Sequence, residues 1–141
     1  MHVKTSAAAT GVPSYSESYP RDPQSAAQAR QLVGIALETW HLHDLVDSAQ
    51  LVVSELVANA TQHARAHEIR VTVTRRQSRM VRVSVTDRSR ELPHRLKAED
   101  DDEHGRGLAL IEALACRWGV DERRSGKCVW ADLGPEEEPA E

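Results

Sequence analysis

Two segments, Ile69-Val71-Val73 and Val81-Val83-Val85, place an apolar side chain at every second position and are joined by the charged link Arg75-Arg76-Gln77-Ser78-Arg79. Side chains along a strand point alternately to opposite faces, so this pattern predicts an antiparallel hairpin with one buried face. The cover for that face is legible upstream. Ala29, Leu32, Val33, Ala36, Leu37 and Trp40 recur at helical spacing behind the start signal Asp22-Pro23. After a break at His41 to His43, Asp44 can cap a second helix whose apolar stripe is Leu45, Ala49, Val52, Val53, Leu56, Val57 and Ala60. A third helix is expected to carry Leu108, Ile111, Leu114, Ala115 and Trp118 on one side. Gly119-Val120 then begins a strand, Arg124-Ser125-Gly126 turns it, and Cys128 to Leu133 returns. The element order predicts an α+β fold: a two-layer α/β sandwich with a mainly antiparallel sheet and three helices on one face.

The 141 residues suit one domain with a sizeable core. Residues 1–20, rich in Ser, Ala, Thr and Pro, are expected to be a disordered leader, residues 21–134 the domain, and 135–141 an acidic disordered tail. No stretch approaches the roughly 20 apolar residues of a membrane helix and the N-terminus lacks a signal-peptide core, which favours the cytoplasm. Cys116 and Cys128 form neither a CxxC pair nor a disulfide framework. Trp40, Trp118 and Trp130 are expected to fill a core that has no Phe. The net charge of -4 is uneven, because Glu99 to Glu103 and the tail glutamates 136, 137, 138 and 141 concentrate acid in two places. The remainder is net basic, compatible with an anionic ligand.

Three stretches carry chemistry. Glu55 and Asn59, four apart, project from consecutive turns of one helix beside its apolar stripe. A carboxylate can act as a general base, and an amide oxygen can ligate Mg²⁺, a cation usually held by few protein groups plus phosphates. Asp87 ends an alternating strand, where a carboxylate either starts a turn or accepts a hydrogen bond from an exocyclic amine. His104-Gly105-Arg106-Gly107-Leu108 opens the third helix, where glycines and free N–H groups admit phosphate or simply cap the helix. Between the last two lies a long polar loop from Arg88 to His104, a length usually associated with function or disorder. His63 and His67 are four apart without an HExxH motif, and the arginines of the hairpin link lack interleaved aromatics, so neither metalloprotease nor nucleic-acid chemistry is indicated.

In this order, the helical Glu-x-x-x-Asn, the strand ending in Asp, the long loop and the GxGL helix start together resemble the Bergerat fold of the GHKL ATP-binding superfamily. Within it, ELVANATQHA and GRGLALIEALACRWGV resemble the small anti-sigma-factor serine/threonine kinases, over about residues 22 to 133. The resemblance implies ATP and Mg²⁺ as ligands. Glu55 would activate the attacking hydroxyl or water, Asn59 would coordinate Mg²⁺, and Asp87 would bind the adenine amine. Gly105, Arg106, Gly107 and Leu108 would shape the phosphate site, residues 93–104 would form a lid, and Cys128 would stand where the family often has Thr or Ser near the adenine.

The function so implied is a protein serine/threonine kinase that phosphorylates a STAS-type anti-anti-sigma partner and binds a sigma factor, without direct nucleic-acid or membrane contact, and the resemblance suggests a homodimer. The family usually places glycines after Asp87, whereas this chain has Arg88-Ser89-Arg90-Glu91. A second reading therefore stands beside the first: a non-catalytic module that sequesters a regulator with weak or no ATP binding.

Overall fold

The computed structural model describes residues 4–7, 13–63, 67–87, 109–123 and 126–135. In chain order these form β1 (Lys4–Ala7), β2 (Pro13–Pro20), α1 (Ser25–Thr39), a 3-10 turn (His43–Leu45), α2 (Val46–His63), β3 (Glu68–Gln77) and β4 (Met80–Asp87). Helical residues 109–114, here α3, precede β5 (Arg117–Arg123) and β6 (Gly126–Leu133). The strands make one six-stranded sheet in the order β1-β2-β3-β4-β6-β5, antiparallel at every pairing. Helices cover one face, as the α/β sandwich requires.

The first helix begins and ends for local reasons. Asp22 Oδ1 accepts the Gln24 N–H at 2.9 Å and its carbonyl accepts the Ser25 N–H at 2.8 Å, which holds the entry turn. At the other end His41 adopts φ 60°, the left-handed conformation that closes many helices. Leu42 N–H then donates to Leu37 O at 2.8 Å and His41 N–H to Glu38 O at 3.1 Å. These are the two bonds of a Schellman motif, with its usual apolar contact supplied by buried Leu37 and Leu42. Asp44 does not cap α2 directly. It lies inside the 3-10 turn, with its carboxylate 3.4 Å from Arg79 on the β3–β4 link.

Direct register pairing sorts the sheet into two faces. Tyr15, Val73, Val83, Ala131 and Trp118 follow one another across β2, β3, β4, β6 and β5, and this row faces the helices. Ile69, Val71, Val81, Val85, Val129 and Leu133 share that face and are buried with α1, α2 and Ile111 of α3. α1 packs over β2 and β3, and α2 over β4 and β6.

The opposite face is polar. Ser14 and Ser16 of β2 hydrogen-bond Thr74 and Thr72 of β3 at 3.1 and 3.0 Å. Farther across, Arg82 donates two hydrogen bonds to Asp132 at 2.7 and 3.0 Å, and Arg117 reaches the same carboxylate at 3.3 Å. The bonded carboxylate raises the pKa of the Arg82 guanidinium above its ordinary value. Arg82 also stacks 3.9 Å above the Trp130 ring, while a Cβ at Gly119 would come within 2.7 Å of Trp130 Cζ2. Gly119 is therefore the floor on which that indole lies.

Three expectations are corrected. Residues 13–20, expected in a disordered leader, are β2, and residues 4–7 are β1. The stretch Ser14-Tyr15-Ser16-Glu17-Ser18-Tyr19 alternates, and pairing it along β3 satisfies backbone groups that would otherwise form an open edge. Trp118 belongs to β5 rather than to the third helix. Its spacing from Leu114 fits a helix, but Cys116 N–H donates to Asp132 O at 2.8 Å and turns the chain into the sheet, where Trp118 lies opposite Ala131. Trp130 faces away from the core, beneath Arg82. Among the described residues no helix is long and apolar enough to cross a membrane.

Candidate functional site

Glu55 and Asn59 lie where the helical spacing places them, half-buried at the margin of the α2 stripe of Val52, Val53, Leu56, Val57 and Ala60. Their flank is defined by what the other flank does. Gln50 Nε2 donates to Arg30 O at 3.0 Å and Arg30 Nη1 donates to Ser54 Oγ at 2.9 Å, so the Gln50–Ser54 side of α2 is bound to α1. At ~100° of turn per residue, Glu55 and Asn59 emerge on the opposite flank, beyond the apolar stripe. They point away from α1, toward the β6–β5 side of the layer.

The chain brings two site elements to one end of the sheet. Arg21 Nη1 donates to Thr61 O at 3.1 Å and its N–H to His67 O at 2.8 Å, pinning the last turns of α2 beside the start of β3. Two residues beyond His67, Ile69 pairs with Asp87, the last residue of β4. Asp87 shares the helix-facing side with Val81, Val83 and Val85, since all occupy alternate positions of one strand, and it is 7% exposed. The C-terminal half of α2 and the Asp87 carboxylate thus meet at the same end of the same layer. α3 finishes at the opposite end, where Arg117 pairs with Asp132.

One polar atom in this region lacks a partner. Asn59 Oδ1 is buried, with no hydrogen bond among the described residues. A buried amide oxygen left unpaired costs about 1–3 kcal/mol. Core packing gives no reason to carry that cost, whereas a ligand that supplies a cation or a donor does. A hard cation fits this oxygen, and phosphates rather than protein would complete its shell. Among the described residues there is no cluster of three or more His, Cys, Asp or Glu able to hold a metal alone.

The register sets Cys128 on the other face from Asp87 and Lys127 on the same face. Cys128 pairs with Thr86 and therefore occupies the polar face of the sheet, opposite to the side that carries Asp87. Lys127 pairs directly with Asp87 and shares its face. The alternation Val129, Ala131, Leu133 already implied this, because inward positions on that strand are odd-numbered. Gly105, Arg106, Gly107 and Leu108, the lid 93–104 and the stretch Arg88 to Glu91 lie outside the described residues, as do 136–141 of the acidic tail.

Over 50 residues the chain is 48% identical to an uncharacterized protein of Streptomyces coelicolor (strain ATCC BAA-471 / A3(2) / M145), a match that covers 34% of this chain and 48% of that protein. The chain thus spans about half the length of this curated relative. The histidine kinase domain of the blue-light activated histidine kinase of Erythrobacter litoralis EL346 superposes with a TM-score of 0.48 at 16% identity, over 82% of this chain and 61% of that one. Residues 19–133 match the model of the histidine kinase-like ATPase domain, from the Tyr19 strand to the end of β6. The chain belongs to the histidine kinase-like ATPase domain family, the ATP-binding GHKL group.

Proposed function

We propose that this protein is an ATP- and Mg²⁺-dependent protein serine/threonine kinase of the anti-sigma-factor type, acting in the cytoplasm as a homodimer on a STAS-type anti-anti-sigma partner and binding a sigma factor. The observation that carries the reading is the buried, unpaired Asn59 oxygen on the same helical flank as Glu55, at the end of the sheet where Asp87 lies. Family membership supports ATP as the ligand.

In this reading Asp87 accepts a hydrogen bond from the adenine amine and fixes the base, while Asn59 offers its oxygen to Mg²⁺. The metal neutralises phosphate charge, the usual main need in phosphoryl transfer. Glu55, one turn before Asn59, takes the proton of the partner's hydroxyl. That oxygen bonds to the γ-phosphorus as the bond to the β–γ bridging oxygen breaks, and ADP departs with the released electron pair. The product is a phosphorylated Ser or Thr, whose added negative charge switches partner preference.

The charged stretch Arg88-Ser89-Arg90-Glu91, in place of glycines, favours the second reading, a sequestering module that does not catalyse. Calorimetric titration with ATP, with and without Mg²⁺, separates the two. Mg²⁺-dependent binding that is lost in Asn59→Ala, with transfer to a partner abolished in Glu55→Ala, is the expected result. Absence of binding at millimolar ATP would make the sequestering module the better account, and full transfer by Glu55→Ala would remove the role given to that residue.

A further inference from the structure

Asn59 lies close to the C-terminal end of α2, which runs to His63. The final carbonyls of a helix have no intrahelical donor, so such an end frays unless something ties it. Two ties are present here. Thr61 Oγ1 donates to Ala58 O at 2.9 Å within the helix, and Arg21 Nη1 donates to Thr61 O at 3.1 Å from 40 residues earlier in the chain. A cation is also favoured at this negative end of the helix dipole. The backbone that carries the Arg21 side chain is itself held on both sides. Its N–H donates to His67 O at 2.8 Å, and the Pro20 carbonyl before it accepts the hydroxyl of buried Ser25 at 2.7 Å. After it, Asp22 holds the entry to α1 through Gln24. Arg21 thus links the end of β2, the start of α1 and the approach to β3 to the last turns of α2, which carry Asn59.

We propose that Arg21 is a positioning residue for the metal: by holding the C-terminal turns of α2, it fixes where the Asn59 oxygen meets Mg²⁺. The inference rests on the nucleotide reading above and deepens it. Mg²⁺ demands near-ideal octahedral geometry with oxygens at about 2.0–2.1 Å, whereas Ca²⁺ accepts longer and more variable contacts. A protein oxygen that serves Mg²⁺ therefore needs a fixed backbone beneath it, and the buried, unpaired Asn59 Oδ1 is the oxygen so placed. In this account Arg21 touches neither metal nor nucleotide.

The test titrates the full chain with Mg-ATP and with Ca-ATP by calorimetry. An exposed charged contact carries a few-fold in an equilibrium constant, so Arg21→Met should weaken Mg-ATP binding by about threefold to fivefold. Ca-ATP, with its tolerant geometry, should lose less than about twofold. Arg21→Lys, which keeps a cationic donor, should recover most of the Mg-ATP affinity. Arg21 is exposed, and thermal melts establish folding of each variant; should Arg21→Met not fold, Arg21→Gln gives the same reading. Equal loss of both ligands would make the arginine a scaffold residue only, and an unchanged Mg-ATP affinity would remove its role. Either result overturns the inference while leaving the nucleotide site intact. If the wild-type protein binds neither ligand, the nucleotide reading and the inference fall together.

Discussion

Replacing Asn59 by Ala should make the protein more stable while it loses Mg-ATP. The orphaned Oδ1 costs about 1–3 kcal/mol in the folded state, and the substitution removes it. Alanine adds up to about 0.7 kcal/mol of helix propensity inside α2. Against this stands the packing of one half-buried amide group, about 1 kcal/mol by analogy with small side-chain truncations. The net expectation is a gain of about 1–2 kcal/mol, or roughly 3–6 °C in Tm for a chain of this length. Urea titration would read it as a higher midpoint at unchanged slope. A destabilisation above about 1 kcal/mol would show that the amide is engaged by the fold, and would refute the argument that it is held ready for a ligand. Stability gained where binding is lost is a common mark of a functional site.

Two further outcomes concern the scaffold. Arg82→Ala strips the fully buried Asp132 carboxylate of its bidentate partner and leaves only Arg117 at 3.3 Å, so it should destabilise the fold by about 3 kcal/mol in denaturant titration; a loss under about 1 kcal/mol would mean that the carboxylate is not dependent on the pair. Tyr19, 5% exposed, has its phenol pKa pushed up from 10.0 to about 12, mainly by burial and secondarily by Glu17. The folded protein therefore keeps a proton that the unfolded chain releases first. The corresponding stability is complete below pH 10 and declines as the pH rises toward 12, where Tyr19→Phe should show a flatter alkaline limb. Identical limbs in the two proteins would show that the phenol does not couple to folding.

Periodicity within single segments was enough to read α1, α2 and the β3–β4 hairpin. Ala29, Leu32, Val33, Ala36 and Leu37 are buried as their spacing demands, and Glu55 and Asn59 lie at the edge of their stripe for the same reason. These patterns are legible because an amphipathic helix or a half-buried strand writes its own geometry into neighbouring residues. The order of motifs also carried the family, with Glu55 and Asn59 inside α2 and Asp87 at the end of β4.

Pairing between distant segments is a different kind of information. Residues 13–20 become a strand because β3 offers them an edge, and their own composition resembles that of a solvated leader. Trp118 fits a helix by spacing but is claimed by the β6 ladder. The choice between Cys128 and Lys127 as the neighbour of Asp87 depends on the alignment of β6 with β4, where a slip of one residue exchanges the two faces. The same pairing joins Arg82, Asp132 and Arg117, residues with no local motif. Chemistry-bearing residues can thus be named from local pattern, but their neighbours depend on register, because a residue cannot encode locally which distant strand will lie beside it.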